Sequence, residues 1–261
     1  MIANGGHAAG GIQRASHVMK PARAIVVVAH VVFAGPKQFP RSVAASGPFL
    51  KHRAERGRGD RLRQMITHTS FTAGRPLRRK GLRRHGDELA LIDAANCGNP
   101  YTEMRGDAGV AAAQMEFFAG LVTEMKGDTI PMGPERVNMT TREPMGVVAR
   151  ILAFNHPFMF CGGKMAAQLA AGNAVIIKPP VQAPLSALRL AEIVEDLLPA
   201  GVFSVLPGGT EAGAGLAAHR DVAKVTLIGS VGAGRAVMHG ASDTIKPVLL
   251  ELGGKNALIA Y

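Results

Sequence analysis

Gly146-Val147-Val148-Ala149-Arg150-Ile151-Leu152-Ala153 is a run of strand length, apolar but for Arg150, with branched side chains at Val147, Val148, Ile151 and Leu152. Such a run suits a strand covered on both faces, because a sheet wetted on one side would alternate apolar with polar residues. Similar runs return at 174–178, 203–206, 224–228 and 248–250. Between them lie stretches of helical spacing at about 158–171, 184–198, 210–218 and 232–239. Gly172-Asn173 closes the first of these as a C-cap would, and Pro184 suits the first turn of the second. Strand and helix in regular alternation predict βαβ units: an α/β fold with a Rossmann-like open parallel sheet and helices on both faces. Right-handed crossovers then deliver the C-terminal end of every strand to one edge, where ligands of such sheets bind.

Outward from this unit the pattern weakens. Leu82, Leu89 and Ile92, then Val110, Met115, Phe118, Leu121, Val122 and Met125, recur at helical spacing with a break at Gly98-Asn99-Pro100, which predicts two N-terminal helices. Val137, Met139 and Thr141 alternate within a basic stretch at 136–142 and read as an exposed strand. Residues 1–76 show neither period and form a basic, unassigned or disordered segment. The expected organisation is that segment, then helices and strand at 77–142, a ligand-binding domain at 143–255, and the start of a further domain at 256–261.

The chain has 261 residues, 47% hydrophobic, enough for a sizeable core, and a net charge of +11. Residues 1–86 hold 17 Lys and Arg against 2 acids, whereas residues 87–261 hold 13 against 17. The basic character thus belongs to the first third, and with no interleaved aromatic platform there it argues against nucleic acid as the partner. Glycine and proline in that third also break the amphipathic helix of a transit peptide. No run reaches the length of a membrane span. Cys97 and Cys161 form no CxxC pair, so no metal site is expected and a reducing, cytoplasmic setting fits. Cys161 reads as a buried thiol within a helix, and Cys97 lies in the turn that ends one.

Four residues with chemistry to offer fall at or just past predicted strand ends: Asn155, Lys178, Ser230 and Glu251. Each has an ordinary structural reading. Asn155 before His156-Pro157 suits an Asx-turn or N-cap, and Lys178 suits a snorkelling strand end. The turn 229–234, Gly-Ser-Val-Gly-Ala-Gly, suits tight packing, and Glu251 suits a salt bridge to Lys255. The glycine turn also opens a helix, so its backbone N–H groups could face a phosphate, although its spacing is not GxGxxG.

Taken together, Phe154-Asn155-His156-Pro157, Lys178-Pro179-Pro180, the 229–234 turn and Glu251-Leu252-Gly253-Gly254-Lys255 resemble the motifs of the NAD(P)-dependent aldehyde dehydrogenases, most specifically over 143–256. The resemblance implies oxidation of an aldehyde to a carboxylic acid with NAD or NADP. It makes Asn155 the amide donor to the oxyanion and Glu251 the base that activates water to release the acid. The implied cofactor contacts are Phe154, Lys178, Pro180, Gly213, Gly229, Ser230, Gly234 and Leu252. Lys164 occupies the place of a helix lysine found in many members. Where many members carry a ribose-binding glutamate three places after the lysine, this chain has Val181, which leaves NADP open. Val231 stands where the family's turn has threonine.

In the family the nucleophile is a cysteine roughly thirty residues beyond the glutamate, and the sequence here ends at Tyr261. The expectation is a fragment that binds the cofactor and does not complete the cycle alone. A noncatalytic nucleotide-binding module is the alternative. The small-molecule partner would be an aldehyde, and the 136–142 strand resembles the arm through which full-length members form homo-oligomers.

Overall fold

A computed structural model describes residues 82–259. The basic segment 1–76, with the expectations attached to it, lies outside the described residues.

Helix α1 (Gly86–Cys97) and helix α2 (Tyr101–Gly120) form an antiparallel hairpin at its start. Gly98 ends α1 in the left-handed conformation at φ 83°, with its N–H on the Ala94 carbonyl, so the break read from Gly98-Asn99-Pro100 is the turn between them. The buried face of α2 is Met104, Ala108, Ala111, Ala112 and Met115. Val110, one of the residues whose spacing predicted this helix, is 44% exposed. Small residues were the signal missed there, since the alanines let a second layer approach closely.

Strand β1 (Thr129–Pro131) pairs antiparallel with β2 (Val137–Met139), and every residue of both is exposed. β2 is the expected strand, shortened. β1 carries a proline and was not read from sequence.

The remaining strands are β3 (Val147–Ile151), β4 (Ala174–Lys178), β5 (Phe203–Val205), β6 (Val222–Gly229) and β7 (Val248–Leu252). They form one parallel sheet in the order β5-β4-β3-β6-β7. The chain winds outward from β3 through β4 to β5, then returns to β6 on the other side of β3. The order therefore reverses between β3 and β6, the crevice where open α/β sheets receive ligands.

The pleat divides the core in two. Leu152, Val175 and Ile177 join the cluster under α2 and α4 (Leu185–Val194), whereas Val147, Ala149, Ile151 and Ile176 pack beneath α5 (Thr210–Ala218) and α6 (Val231–Ser242). Helices thus cover both faces, as expected.

The helix expected over 158–171 departs from plan. The chain instead makes one wide turn at Met159–Gly163, then the short helix α3 (Ala166–Ala170). A Cβ on Gly162 would meet the Phe158 ring at 3.0 Å, and one on Gly163 would lie 3.2 Å from the Ala111 Cα. Helix α2 thus crosses close to Gly163, whereas the space at Gly162 is taken by the Phe158 ring of the same segment. Pro184 is the N-cap of α4 rather than a residue of its first turn.

Candidate functional site

The rim formed by the strand C-termini carries all four candidates. Lys178 is the last residue of β4, in register with Ile151 of β3. Asn155 lies in the loop that leaves β3, and Ser230 follows β6 directly. Glu251 is the penultimate residue of β7, in register with Ile228, one place earlier than the strand end expected for it.

The loop carrying Asn155 is tied down by the α1–α2 hairpin. Asn99 Nδ2 donates to the Asn155 carbonyl at 2.7 Å, Asp107 Oδ2 lies 2.7 Å from His156 Nδ1, and Phe158 N–H donates to Asp93 Oδ2 at 2.8 Å. These bonds hold the backbone and leave the exposed Asn155 side-chain amide with no hydrogen bond among the described residues. The Asx-turn and N-cap readings of Asn155 therefore have no bond to support them. Asp93 is 1% exposed, and burial raises its pKa above the usual carboxylate range. Ser186 and the Phe158 N–H oppose that shift, but only the Phe158 bond is well aligned; Asp93 Oδ1 and Ser186 Oγ are buried without a hydrogen-bond partner.

Lys178 is 7% exposed, and its ammonium has no hydrogen-bond or ion-pair partner among the described residues. Burial lowers its pKa; the Glu211 carboxylate opposes the shift. The stem is buried, but Nζ is not one of the described side-chain atoms sealed from solvent without a partner, so the ammonium reaches the rim with its donors uncommitted and open to a ligand's acceptors. Val181 is 62% exposed, and Pro180 is buried beside the lysine.

At the far side of the switch, Ser230 caps α6: its Oγ accepts from Ala233 N–H at 3.1 Å. The N–H groups of Val231 and Gly232, one and two places into the helix, have no intrahelical acceptor and sit on exposed residues. Gly234 has a packing role, since a Cβ there would come within 3.0 Å of Leu252 Cδ2, whereas a Cβ on Gly213 would make only ordinary contact, 3.6 Å from Ile151 Cδ1. Both are buried. Gly229 is half-buried, whereas Phe154 and Leu252 are exposed at 56% and 40%.

Glu251 does not pair with Lys255. Both of its carboxylate oxygens accept from Lys164 Nζ at 2.8 Å, with the two side chains 39% and 32% exposed. The structure thus gives Lys164 a contact that sequence reasoning could not supply. Beside them Arg150 is 2% exposed, and burial lowers its pKa to about 10 although the Glu251 charge opposes the shift. In the amide orientation that satisfies both groups, the Gln168 side-chain oxygen accepts from Arg150 Nη1 at 2.6 Å; Arg150 Nε is left without a partner. Cys161 is fully buried, and burial pushes its thiol well above the usual range, which makes it inert as a nucleophile. Among the described residues no group of three or more His, Cys, Asp or Glu could hold a metal, and no helix is long and apolar enough to cross a membrane.

A parallel sheet with helix-bound loops and a charged C-terminal rim defines a Rossmann-like α/β domain. The profile of the Aldehyde dehydrogenase family matches residues 78–261, and the chain belongs to that family. It is 53% identical over 184 residues to the aldehyde dehydrogenase tropH of Talaromyces stipitatus, a match that takes in 69% of this chain and 36% of that protein. It is 42% identical over 182 residues to the betaine aldehyde dehydrogenase of Vibrio vulnificus, taking in 69% of this chain and 37% of that protein. Among solved structures, PnpE in complex with nicotinamide adenine dinucleotide superposes with a TM-score of 0.67 at 36% identity, over 74% of this chain and 39% of that one. The chain therefore spans little more than a third of the length of the curated relatives it matches.

Proposed function

We propose that residues 143–255 are the dinucleotide-binding unit of an NAD(P)-dependent aldehyde dehydrogenase, which oxidises an aldehyde to a carboxylic acid. The observation that carries this reading is the unpartnered Lys178 ammonium on the same rim as the open N–H groups of α6, either side of the sheet's switch point. The donors fit a dinucleotide: Lys178 would hold ribose hydroxyls and the α6 N-terminus a pyrophosphate. PnpE, the relative solved with that cofactor, supports the assignment. When bound, the nicotinamide would accept the hydride removed from the substrate carbon.

The remaining chemistry falls to this chain's own side chains. Asn155 presents a neutral amide whose N–H groups are free to donate to an oxygen that gains negative charge, and its backbone is fixed from the α1–α2 hairpin, so little reorganisation is needed. Glu251 would take a proton from the water that releases the acid. Lys164 holds both oxygens of that carboxylate, so accepting the proton requires the ion pair to loosen. The family's reaction also needs an activated thiolate, and neither cysteine of the sequence offers one: Cys161 is buried, and Cys97 Sγ lies 3.9 Å from Met104 Sδ. Cofactor binding without turnover is thus the expected behaviour of these 261 residues. The exposed β1–β2 hairpin, with Val137 82% and Met139 65% exposed, supports an arm that docks on a second copy. A reducing cytoplasm suits the two unpaired thiols.

Calorimetric titration of the 261-residue chain with NAD+ and NADP+, beside an assay of aldehyde-dependent cofactor reduction, tests the reading. Binding of at least one dinucleotide without turnover is expected, and absence of binding by both would overturn it. A noncatalytic nucleotide-binding module is the second reading, favoured by the burial of Cys161; binding without turnover is common to both readings, whereas turnover by the 261-residue chain would rule the module out.

A further inference from the structure

Val181 leaves no acid on the β4 side of Lys178, which by itself would open the ribose subsite to a 2′-phosphate. The neighbouring strand changes that. β5 pairs with β4 in register Val205 to Ile177, and Leu206 N–H donates to the Ile177 carbonyl at 2.8 Å, so the turn from β5 into α5 rises beside Lys178. In that turn Glu211 folds back: its Oε1 accepts from Gly209 N–H at 2.8 Å, and a Cβ on Gly209 would stand 2.6 Å from its Oε2. A Cβ on Gly208 would collide with that of Ala212 at 2.7 Å. Gly209 therefore lets the carboxylate lie down over the turn, and Gly208 lets Ala212 approach it.

We infer that Glu211 supplies, from the β5–α5 turn, the negative charge missing at Val181, and that it makes this rim select NAD over a 2′-phosphorylated dinucleotide. The inference rests on the reading of Lys178 as a ribose contact. A carboxylate beside the ribose accepts from a 2′-hydroxyl and repels a 2′-phosphate. Lys178 alone would attract that phosphate, so the sign of the selection depends on whether a carboxylate stands near. The charges of Glu211 and Lys178 each favour the ionised form of the other.

Glu211→Gln tests this without disturbing the turn, because the exposed amide keeps an oxygen for Gly209 N–H. NAD+ and NADP+ are titrated into the full 261-residue chain and into the variant, with thermal midpoints as a check on folding. The parent chain is expected to bind NAD+ at least about tenfold tighter than NADP+, and the variant to narrow that ratio about tenfold, mainly by gaining NADP+ affinity. Glu211→Ala, which also removes the turn bond, should narrow it equally. A parent preference for NADP+, or a ratio that neither variant moves, overturns the inference while leaving dinucleotide binding intact. Failure of the parent chain to bind either dinucleotide overturns both the inference and the function on which it rests.

Discussion

Replacing Ser230 by alanine and by aspartate separates two roles that one hydroxyl holds. The Ser230 Oγ accepts from Ala233 N–H at 3.1 Å and caps a helix of 12 residues. Alanine removes that acceptor, which costs about 1 kcal/mol at an N-cap, or roughly 2–4 °C in Tm for a domain of this size. Aspartate caps as well as serine does, so its Tm should match the parent. It also sets a carboxylate beside the open N–H groups of Val231 and Gly232, where the proposed pyrophosphate would lie. Two unit charges about 4 Å apart repel by ~4 kcal/mol at an effective dielectric near 20. Solvent at this exposed cap reduces the repulsion to about 1.5–3 kcal/mol, a ten- to hundredfold loss of affinity. Scanning calorimetry reads the first effect and calorimetric titration with NAD+ the second. An unchanged Kd in Ser230→Asp would refute the phosphate assignment, and an unchanged Tm in Ser230→Ala would refute the cap.

Lys178→Met should weaken NAD+ binding at least about tenfold while Tm holds or rises, since it removes an ammonium whose charged form burial disfavours; a fall of several degrees would show that the lysine is structural. Gly234→Val should cost about 1–3 kcal/mol by urea denaturation, because its Cβ would lie 3.0 Å from Leu252 Cδ2, and an unchanged midpoint would contradict close packing of α6 on β7. Burial raises the pKa of Asp93, so the fold is favoured by its protonated form at low pH and loses that contribution as pH rises through the folded value. Asp93→Asn, which keeps an oxygen for Phe158 N–H, should therefore raise Tm most near neutral pH and progressively less on acidification; a pH-independent difference would rule out the raised pKa. Under native conditions a thiol reagent should modify Cys97 and spare Cys161 until the chain is unfolded, and rapid labelling of both would contradict the burial of Cys161.

The sheet was legible because its central strands β3 and β4 are buried on both faces, and continuous apolar runs such as Ala174–Lys178 leave few alternatives. Helix α5 follows its periodicity residue for residue. The wide turn at Met159–Gly163 was not legible from local pattern, since Gly163 lies against Ala111 of a helix distant in sequence. Much the same holds at the rim. Strand ends placed Asn155, Lys178, Ser230 and Glu251 from local pattern alone. The contacts that set their chemistry, Lys164 on Glu251, Asn99 on the Asn155 carbonyl and the charge of Glu211 near Lys178, join residues from separate elements. Lys255 was the partner sequence proximity suggested for Glu251, and a lysine 87 positions away holds it instead.

A crystal structure of the 261-residue chain grown with NAD+ tests the central claim most directly. The account places the adenosine ribose against Lys178 and the pyrophosphate over the Val231 and Gly232 N–H groups, with Asn155 and Glu251 on the same side of the sheet. A dinucleotide bound elsewhere, with the Lys178 ammonium still unpartnered, would contradict it.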